Sequence, residues 1–409
     1  MVKHKKLGMA VVGACALCGA SAAHAFNVRA GDWDLSVAGN VNTFYNYSRC
    51  DSNEVAVVGG LTCTQNPGAT TGVSSVTSGL LPSAIVFSAK TTQEGFDLGV
   101  TFGFYPDINI SAVPGSNGNI NMRQNFMTFG DKEMGTIKMG RDLGIYGSDA
   151  IISDFTILGV GGGVGSNTPT NTTLGRIGIG YIYADWIPQI TYITPSFDGF
   201  QVSAGVFQPL VMQSNPVAGV ITTTVSGHSV PMFQAKGTYD FASGDVKGRF
   251  WASGLAQRST GDNTAGDLSN SRGVTAYAGD VGAKAALAGF EAVVYYYQTR
   301  GVGTTLYFLN GMDALGNKRN SNGGYAQLQY TGFGKFKPGI SWGISRLNDS
   351  GQEVNPTLLQ DNRSYVNQLQ YSLTKALSLV AEHSYIQSKN QLGQELSQHS
   401  WNLGAILFF

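Results

Sequence analysis

Gly95-Phe96-Asp97-Leu98-Gly99-Val100-Thr101-Phe102-Gly103-Phe104-Tyr105 alternates without interruption. Phe96, Leu98, Val100, Phe102 and Phe104 share one parity, while Asp97, Gly99, Thr101 and Gly103 share the other. Successive side chains of a strand point to opposite faces, so this stretch reads as a strand with one apolar face. Lys335–Ser345 repeats the pattern: Phe336, Pro338, Ile340, Trp342 and Ile344 oppose Lys335, Lys337, Gly339, Ser341 and Gly343. In Ser364–Leu373, Tyr365, Leu369, Tyr371 and Leu373 oppose Ser364, Gln368, Gln370 and Ser372. A soluble sandwich would set Lys and Glu on its solvent face. Here that face carries mainly Gly, Ser, Thr, Gln and Asn, which suits a confined wet lumen with lipid outside.

The same unit of about ten alternating residues recurs along the chain, which is the signature of an antiparallel transmembrane β-barrel. Seventeen candidate strands start near Trp33, Leu81, Gly95, Asn121, Met134, Arg176, Gln189, Asp198, Pro231, Asp245, Val274, Gly289, Asn322, Lys335, Arg363, Ala376 and Gln398. Single-chain bacterial barrels have an even number. Pro188 interrupts the ladder between the sixth and seventh candidates, so Arg176–Pro195 reads as one bent strand and the count becomes sixteen. Connections alternate between short turns, as at Thr92–Gly95 and Ala288–Gly289, and long polar stretches. The first three long stretches are Ser48–Gly79, Asp107–Gly118 and Asp142–Gly175.

Composition agrees with an all-β membrane chain. Only 13% of residues are charged, against 55 Gly, 21 Phe and 18 Tyr. Lys3, Lys5 and Lys6, the apolar run Leu7–Ala20 and Ala23-His24-Ala25 form a secretory signal, so residues 1–25 are expected to be removed and 26–409 to form one barrel domain. An uncleaved anchor is disfavoured because the apolar run is short for a spanning helix. A lipoprotein reading of Val12-Gly13-Ala14-Cys15 competes poorly with the A-x-A site. The exported chain keeps 23 basic and 26 acidic residues, a net charge of −3, which excludes a strongly basic nucleic-acid binder. No later stretch of 18 apolar residues reads as a membrane helix. Cys50 and Cys63 remain after export and meet an oxidising compartment, which predicts a disulfide in the first long loop. A metal site would need further ligands, and none lies nearby.

The chain ends Trp401-Asn402-Leu403-Gly404-Ala405-Ile406-Leu407-Phe408-Phe409, with Trp401, Leu403, Ala405, Leu407 and Phe409 on the outward parity. A terminal Phe on such a strand resembles the signal read by the barrel-assembly machinery of the outer membrane. Residues 121–207 resemble the Gram-negative general porin family. Arg123-Gln124-Asn125-Phe126-Met127-Thr128-Phe129-Gly130 leads to Met134-Gly135-Thr136-Ile137-Lys138-Met139-Gly140-Arg141, a long loop follows, and Leu174-Gly175-Arg176 closes it. The resemblance implies a water-filled channel embedded in outer-membrane lipids, a homotrimer, and a third loop folded into the lumen. It implies no cofactor. Its constriction residues would be the loop carboxylates Asp154 and Asp149 facing Arg123 and Arg176, with Lys90 extending the basic side. Ala84 and Leu158 stand where the family often carries charge, which implies a weaker eyelet. Arg141 shares the parity of Ile137 and Met139 and is expected at a rim or subunit contact.

Parity further assigns Lys236, Lys247, Arg249, Lys335 and Lys337 to the lumen, against Asp97, Asp240, Glu291 and Glu382. Fixed lumen charge sets the field an ion meets, so mild anion preference is expected. A channel selective for organic anions or sugars is the alternative within the class, and a non-conducting adhesin or surface enzyme the alternative outside it. His228, His383 and His399 are far apart in sequence, and no catalytic or nucleotide-binding motif is present.

Overall fold

A computed structural model describes residues 25–51, 55–63, 72–108, 119–162, 172–213, 224–225, 227–260, 273–313, 316–352 and 355–409. Most of the proposed signal peptide, residues 1–24, lies outside them. Sixteen staves form the wall: β1 (Trp33–Cys50), β2 (Gly72–Thr77 continued by Ala84–Gln93), β3 (Phe96–Pro106), β4 (Ile120–Asp131), β5 (Gly135–Leu143), β6 (Trp186–Ile193), β7 (Phe200–Phe207) and β8 (Met232–Ser243). The second half comprises β9 (Val246–Ser259), β10 (Val274–Leu287), β11 (Phe290–Arg300), β12 (Asn320–Tyr330), β13 (Phe336–Leu347), β14 (Leu359–Ser372), β15 (Leu377–Asn390) and β16 (Glu395–Phe408). Each pairs antiparallel with its sequence neighbour, and Asn40–Cys50 of β1 pairs with Gln398–Phe408 of β16. The sheet is therefore a closed sixteen-stranded barrel. A short N-terminal strand, Phe26–Ala30, pairs with Trp33–Val37 and takes the part of the β1 edge that β16 leaves.

Burial follows the alternation. Phe102, Val281, Val294, Ile340, Leu369 and Leu403 are exposed, whereas Thr101, Gln234, Gln327, Ser341, Gln368 and Asn402 are buried. Apolar-out and polar-in is the arrangement that lipid imposes. No helix among the described residues is long and apolar enough to cross a membrane; the wall crosses with strands. The short connections are tight because their residues accept positive φ. Glu94 (49°) with Gly95 (87°), and Ala288 (51°) with Gly289 (85°), are two-residue hairpin turns whose twist matches the strands.

Two expectations need correction. Residues 176–185 are not part of a strand; the wall strand starts only at Trp186. Ile177, Ile179, Tyr181 and Ile182 are all buried, so both parities face protein. Gly178 (φ 80°) and Gly180 (φ 136°) turn the chain, and their spacing mimics a strand without forming one. Conversely, Gly72–Thr77 is a strand inside the stretch read as the first loop, paired with Phe44–Arg49.

The largest apolar cluster lies inside the wall. It joins Trp251, Leu255, Ala276, Val293, Tyr295 and Tyr325 of β9–β12 to Tyr146, Ile151, Tyr181, Tyr307 and Phe308 of the loops. At the closing seam the C-terminal residue docks on one small residue. The Gly39 N–H donates to the Phe409 carbonyl (2.8 Å), and the Phe409 N–H donates back (3.0 Å). A Cβ at Gly39 would collide with the Ala84 carbonyl oxygen and the Phe409 ring. Gly39→Val is expected to cost about 1–3 kcal/mol of overpacking and to reduce the folded, heat-modifiable band on unboiled gels. An undiminished band would show that the terminal Phe docks elsewhere.

Candidate pore constriction

The third long connection, residues 144–185, holds a helix, α1 (Ser148–Ser153), and a 3-10 turn, Phe155–Leu158. Its backbone is held by inward-facing wall side chains. The Gln234 Oε1 accepts from Ile145 N (2.7 Å) and Tyr146 N (2.9 Å). Asp280 accepts from Gly147 N (3.1 Å), Tyr325 donates to the Ala150 carbonyl (2.7 Å), and Gln327 donates to the Ser153 carbonyl (2.7 Å). Glu382 accepts from Gly161 N (2.8 Å), and the returning limb donates from Gly180 N to Ser345 (2.9 Å). Leu80 N and Leu81 N, in the interruption of β2, donate to the Gly159 and Ile157 carbonyls. The described part of the connection is thus bonded to side chains of β8, β10, β12, β13 and β15 and to the interruption of β2. An unpaired buried peptide group is costly, and these wall groups remove that cost.

Charges settle in two places. Asp149 accepts from Lys236 Nζ at 2.5 Å and from Arg249 at 3.3 Å, and Arg249 also grips Asp240 at 2.6 Å. Burial alone would raise the Asp149 pKa, but Lys236 and Arg249 together hold the carboxyl below its ordinary value. Asp154 is almost wholly buried. It caps the 3-10 turn by accepting from Thr156 N (2.9 Å) and Thr156 Oγ1 (2.8 Å), and it accepts from the Tyr181 hydroxyl (2.9 Å). Burial pushes its pKa up, against the pull of nearby Arg176. Arg176 is itself fully buried, with its guanidinium carbon 5.7 Å from the Tyr325 ring centre. Asp154 and Arg176 are therefore near each other. Arg176 lies on the loop instead of the wall, and both sit in the packing instead of an opening. Leu158 packs against the cluster of Phe44, Val160 and Val380, and Ala84 is buried.

Among the described residues, a cavity of about 680 Å³ opens between the connection and the upper ends of β3–β5. Arg123, Arg141, Tyr105, Trp186 and Asp185 line it, facing Ile151, Ile157 and Leu174 of the loop. Arg123 is the extra residue of a bulge: Gly103 pairs with Gln124 and Phe104 with Met122, which leaves Arg123 unmatched in the ladder. Its guanidinium lies 5.1 Å from the Tyr105 ring centre. Arg141 donates to the Trp186 carbonyl (3.0 Å).

The remaining lumen candidates divide. Lys90, Lys247 and Lys337 keep the inward parity near the short turns, with no ion pair among the described residues. Lys335 lies in the turn before β13, donates to the Leu373 carbonyl (3.2 Å) and sits 5.9 Å from the Tyr371 ring centre. Tyr371 packs on Phe336 of the outer face, so Lys335 is a rim residue. Two inward ion pairs escaped the sequence reading: Lys138–Asp142 at 2.6 Å and Lys284–Glu291 at 2.9 Å. At the mouth, Cys50 and Cys63 are joined by a disulfide across a Cα separation of 5.8 Å. It ties residues 55–63 down where Leu61 N donates to Ser388 (3.0 Å) and Cys63 N to Gln398 (2.6 Å).

A barrel with a polar, partly filled lumen defines an outer-membrane channel. The chain matches the model of the Gram-negative porin family over residues 10–391 and belongs to that family. It is thus an outer-membrane channel for passive diffusion. Among solved structures it is similar to the outer membrane channel DcaP of Acinetobacter baumannii, with TM-score 0.69, 16% identity, and 94% of this chain and 99% of that one covered. It is also similar to the anion-selective porin from Comamonas acidovorans, with TM-score 0.57, 12% identity, and coverage of 92% and 100%. A trimer form of OmpT from Vibrio cholerae matches with TM-score 0.52, 14% identity, and coverage of 92% and 99%. No curated protein matches the chain.

The Asp149 anchor sets a pH dependence. A depressed carboxyl stabilises the fold above its unfolded pKa, and that stability is lost as pH falls through the lower, folded value. The ordinary value is 3.8, so the anchor holds at neutral pH and weakens only below that. Removing one partner of a buried pair costs about 3–5 kcal/mol; Arg249 keeps Asp240, which favours the low end. Asp149→Asn is expected to speed amide exchange over residues 145–155 at pH 7. Protection equal to wild type would show that the hydrogen bonds alone fix the loop.

Proposed function

We propose that the chain is a general diffusion porin passing small hydrophilic solutes and ions down their gradients through the cavity between the third loop and β3–β5. The carrying observation is that the described part of the loop is bonded to side chains of β8, β10, β12, β13 and β15 and to the interruption of β2, and that among the described residues a cavity remains on the β3–β5 side, with Arg123 on its rim. The reading is non-enzymatic: His383 and His399 meet on the outer face, and His228 lies apart in a loop. Purified protein in planar bilayers is expected to give ohmic openings, and their absence from correctly folded protein would sink the channel route. Mild anion preference follows from Lys247 and Lys337, which keep an inward charge, while Asp149, Asp240, Asp142 and Glu291 are held in ion pairs. Reversal potentials in a KCl gradient should carry the anion sign and shift toward cations in Lys247→Glu/Lys337→Glu. A cation preference in wild type would mean that Asp34 and Asp97 govern the periplasmic mouth instead. A channel for organic anions is the second reading, favoured by two guanidiniums beside Tyr183 and Trp186 in one cavity. Blockage of KCl current by benzoate, absent with glucose, would select it.

The assembly follows the same reading. We infer a signal peptide over residues 1–25, recognition of Phe409 by the barrel-assembly machinery, and a homotrimer in outer-membrane lipid. The trimer is supported by the OmpT trimer among the fold relatives. Native extraction in mild detergent is expected to give a three-chain species that collapses to one chain on boiling. A single-chain mass by light scattering would remove the trimer.

A further inference from the structure

Two imidazoles stand on the outer face of the barrel among mostly apolar and aromatic side chains, with Asn367 in register beside His383 and Arg49 beside His399. His383 is in register with Trp401, and His399 with Tyr385, so the two histidines are diagonal neighbours on β15 and β16. His383 Nε2 and His399 Nδ1 are 3.2 Å apart. The ring centres are 5.5 Å apart and the planes differ by 22°, so the rings meet edge to edge with those nitrogens facing each other. As neutral rings, the pair shares a single N–H between two nitrogens.

That spacing also fits a metal ion. Imidazole nitrogens bind zinc at about 2.0–2.1 Å, and two such bonds spanning 3.2 Å subtend about 100°, between square and tetrahedral angles, once each ring turns by about 40° so that its lone pair points at the ion instead of at the other nitrogen. Position favours the ion as well. Trp342, Tyr365 and Tyr385 form a cross-strand row that ends on His399. Aromatic rows mark the membrane–water interface, so water can complete the coordination. Below the pair, Ala381, Leu369 and Leu403 line an apolar trough of about 730 Å³ that His383 borders. Arg49, in register with His399, is the facing charge from β1, and no carboxylate shares these two rows.

We propose that His383 and His399 form a surface clip for a divalent transition metal of the copper, nickel or zinc class, outside the pore, with water in the remaining positions. Binding needs one ring to move its proton to its other nitrogen; no proton is lost and no redox change occurs. Imidazole affinity follows the order that places copper(II) highest.

The test is copper(II) titration of the purified full barrel in detergent, followed by paramagnetic resonance. One ion per chain with hyperfine splitting from two nitrogens is expected. His383→Asn and His399→Asn should each weaken binding, since changes outside the first coordination shell already cost roughly 10–100-fold, while His228→Asn should not. Conductance should be unchanged in all three, because the clip lies outside the lumen, and heat-modifiable migration reports that each variant folds. No stoichiometric copper in wild type, or equal binding in the double variant, would overturn the clip. Conductance that persists in either case leaves the channel reading intact.

Discussion

Within hydrocarbon a peptide N–H or C=O has no water to turn to. Everything else in this molecule follows from satisfying those groups. An open sheet would leave two bare edges, so the first and last strands must meet, and eleven residues of β1 pair with β16 to do so. The final residue is recruited into the same seam by its bonds to Gly39. The N-terminal strand completes the β1 edge where β16 has run out. Closure also fixes the inside and outside of every strand at once, because a one-residue slip in any stave would turn its apolar face inward.

The same constraint operates in the lumen, one layer in. The described residues of the third connection that pack on wall side chains carry their peptide groups away from bulk water. The wall answers with side chains of the right length at inward positions: Gln234, Asp280, Gln327 and Glu382 each bond loop backbone. Two of these are carboxylates that could have faced ions but bond loop peptide N–H groups. The helix α1 and the 3-10 turn are short enough that their ends need outside partners, and Asp154 serves as one of them. The course of the loop's described residues thus follows where the wall offers acceptors and donors.

Strand parity made the wall legible in the sequence, since alternation over ten residues has no other cheap physical cause. Strand count survived even where one segment was misread. Arg176-Ile177-Gly178-Ile179-Gly180-Tyr181 alternates as a strand does, yet its glycines hold positive φ and its apolar residues pack inside. Periodicity reports side-chain environment, and a buried loop limb can share it. The motif placed Asp154 and Arg176 on opposite sides of an eyelet, whereas both are buried, because contact with β12–β13 comes from residues more than a hundred positions away. Lys335 failed for a local reason: a turn residue is free of the pleat and swung toward Tyr371. By contrast, the Asp240–Arg249 pair was readable in principle. The two are in register across a tight hairpin, so counting outward from Gly244 places them face to face.

The lumen's field depends on pairing more than on composition. Lys236, Arg249, Lys138 and Lys284 each stand within 4 Å of a carboxylate, and close opposite charges cancel beyond roughly a Debye length of about 8–10 Å. Counting such residues as free cations overstates the basic side, and counting their partners overstates the acidic side equally. The low-dielectric wall focuses whatever is not cancelled. Arg123 stands out on geometric grounds, because the bulge that carries it turns an extra side chain into the mouth without disturbing the parity of the strand below. A bulge is how a regular ladder places one residue off its alternation. In this barrel the wall's regularity secures the fold, and a bulge on β4 sets a guanidinium at the rim of the opening.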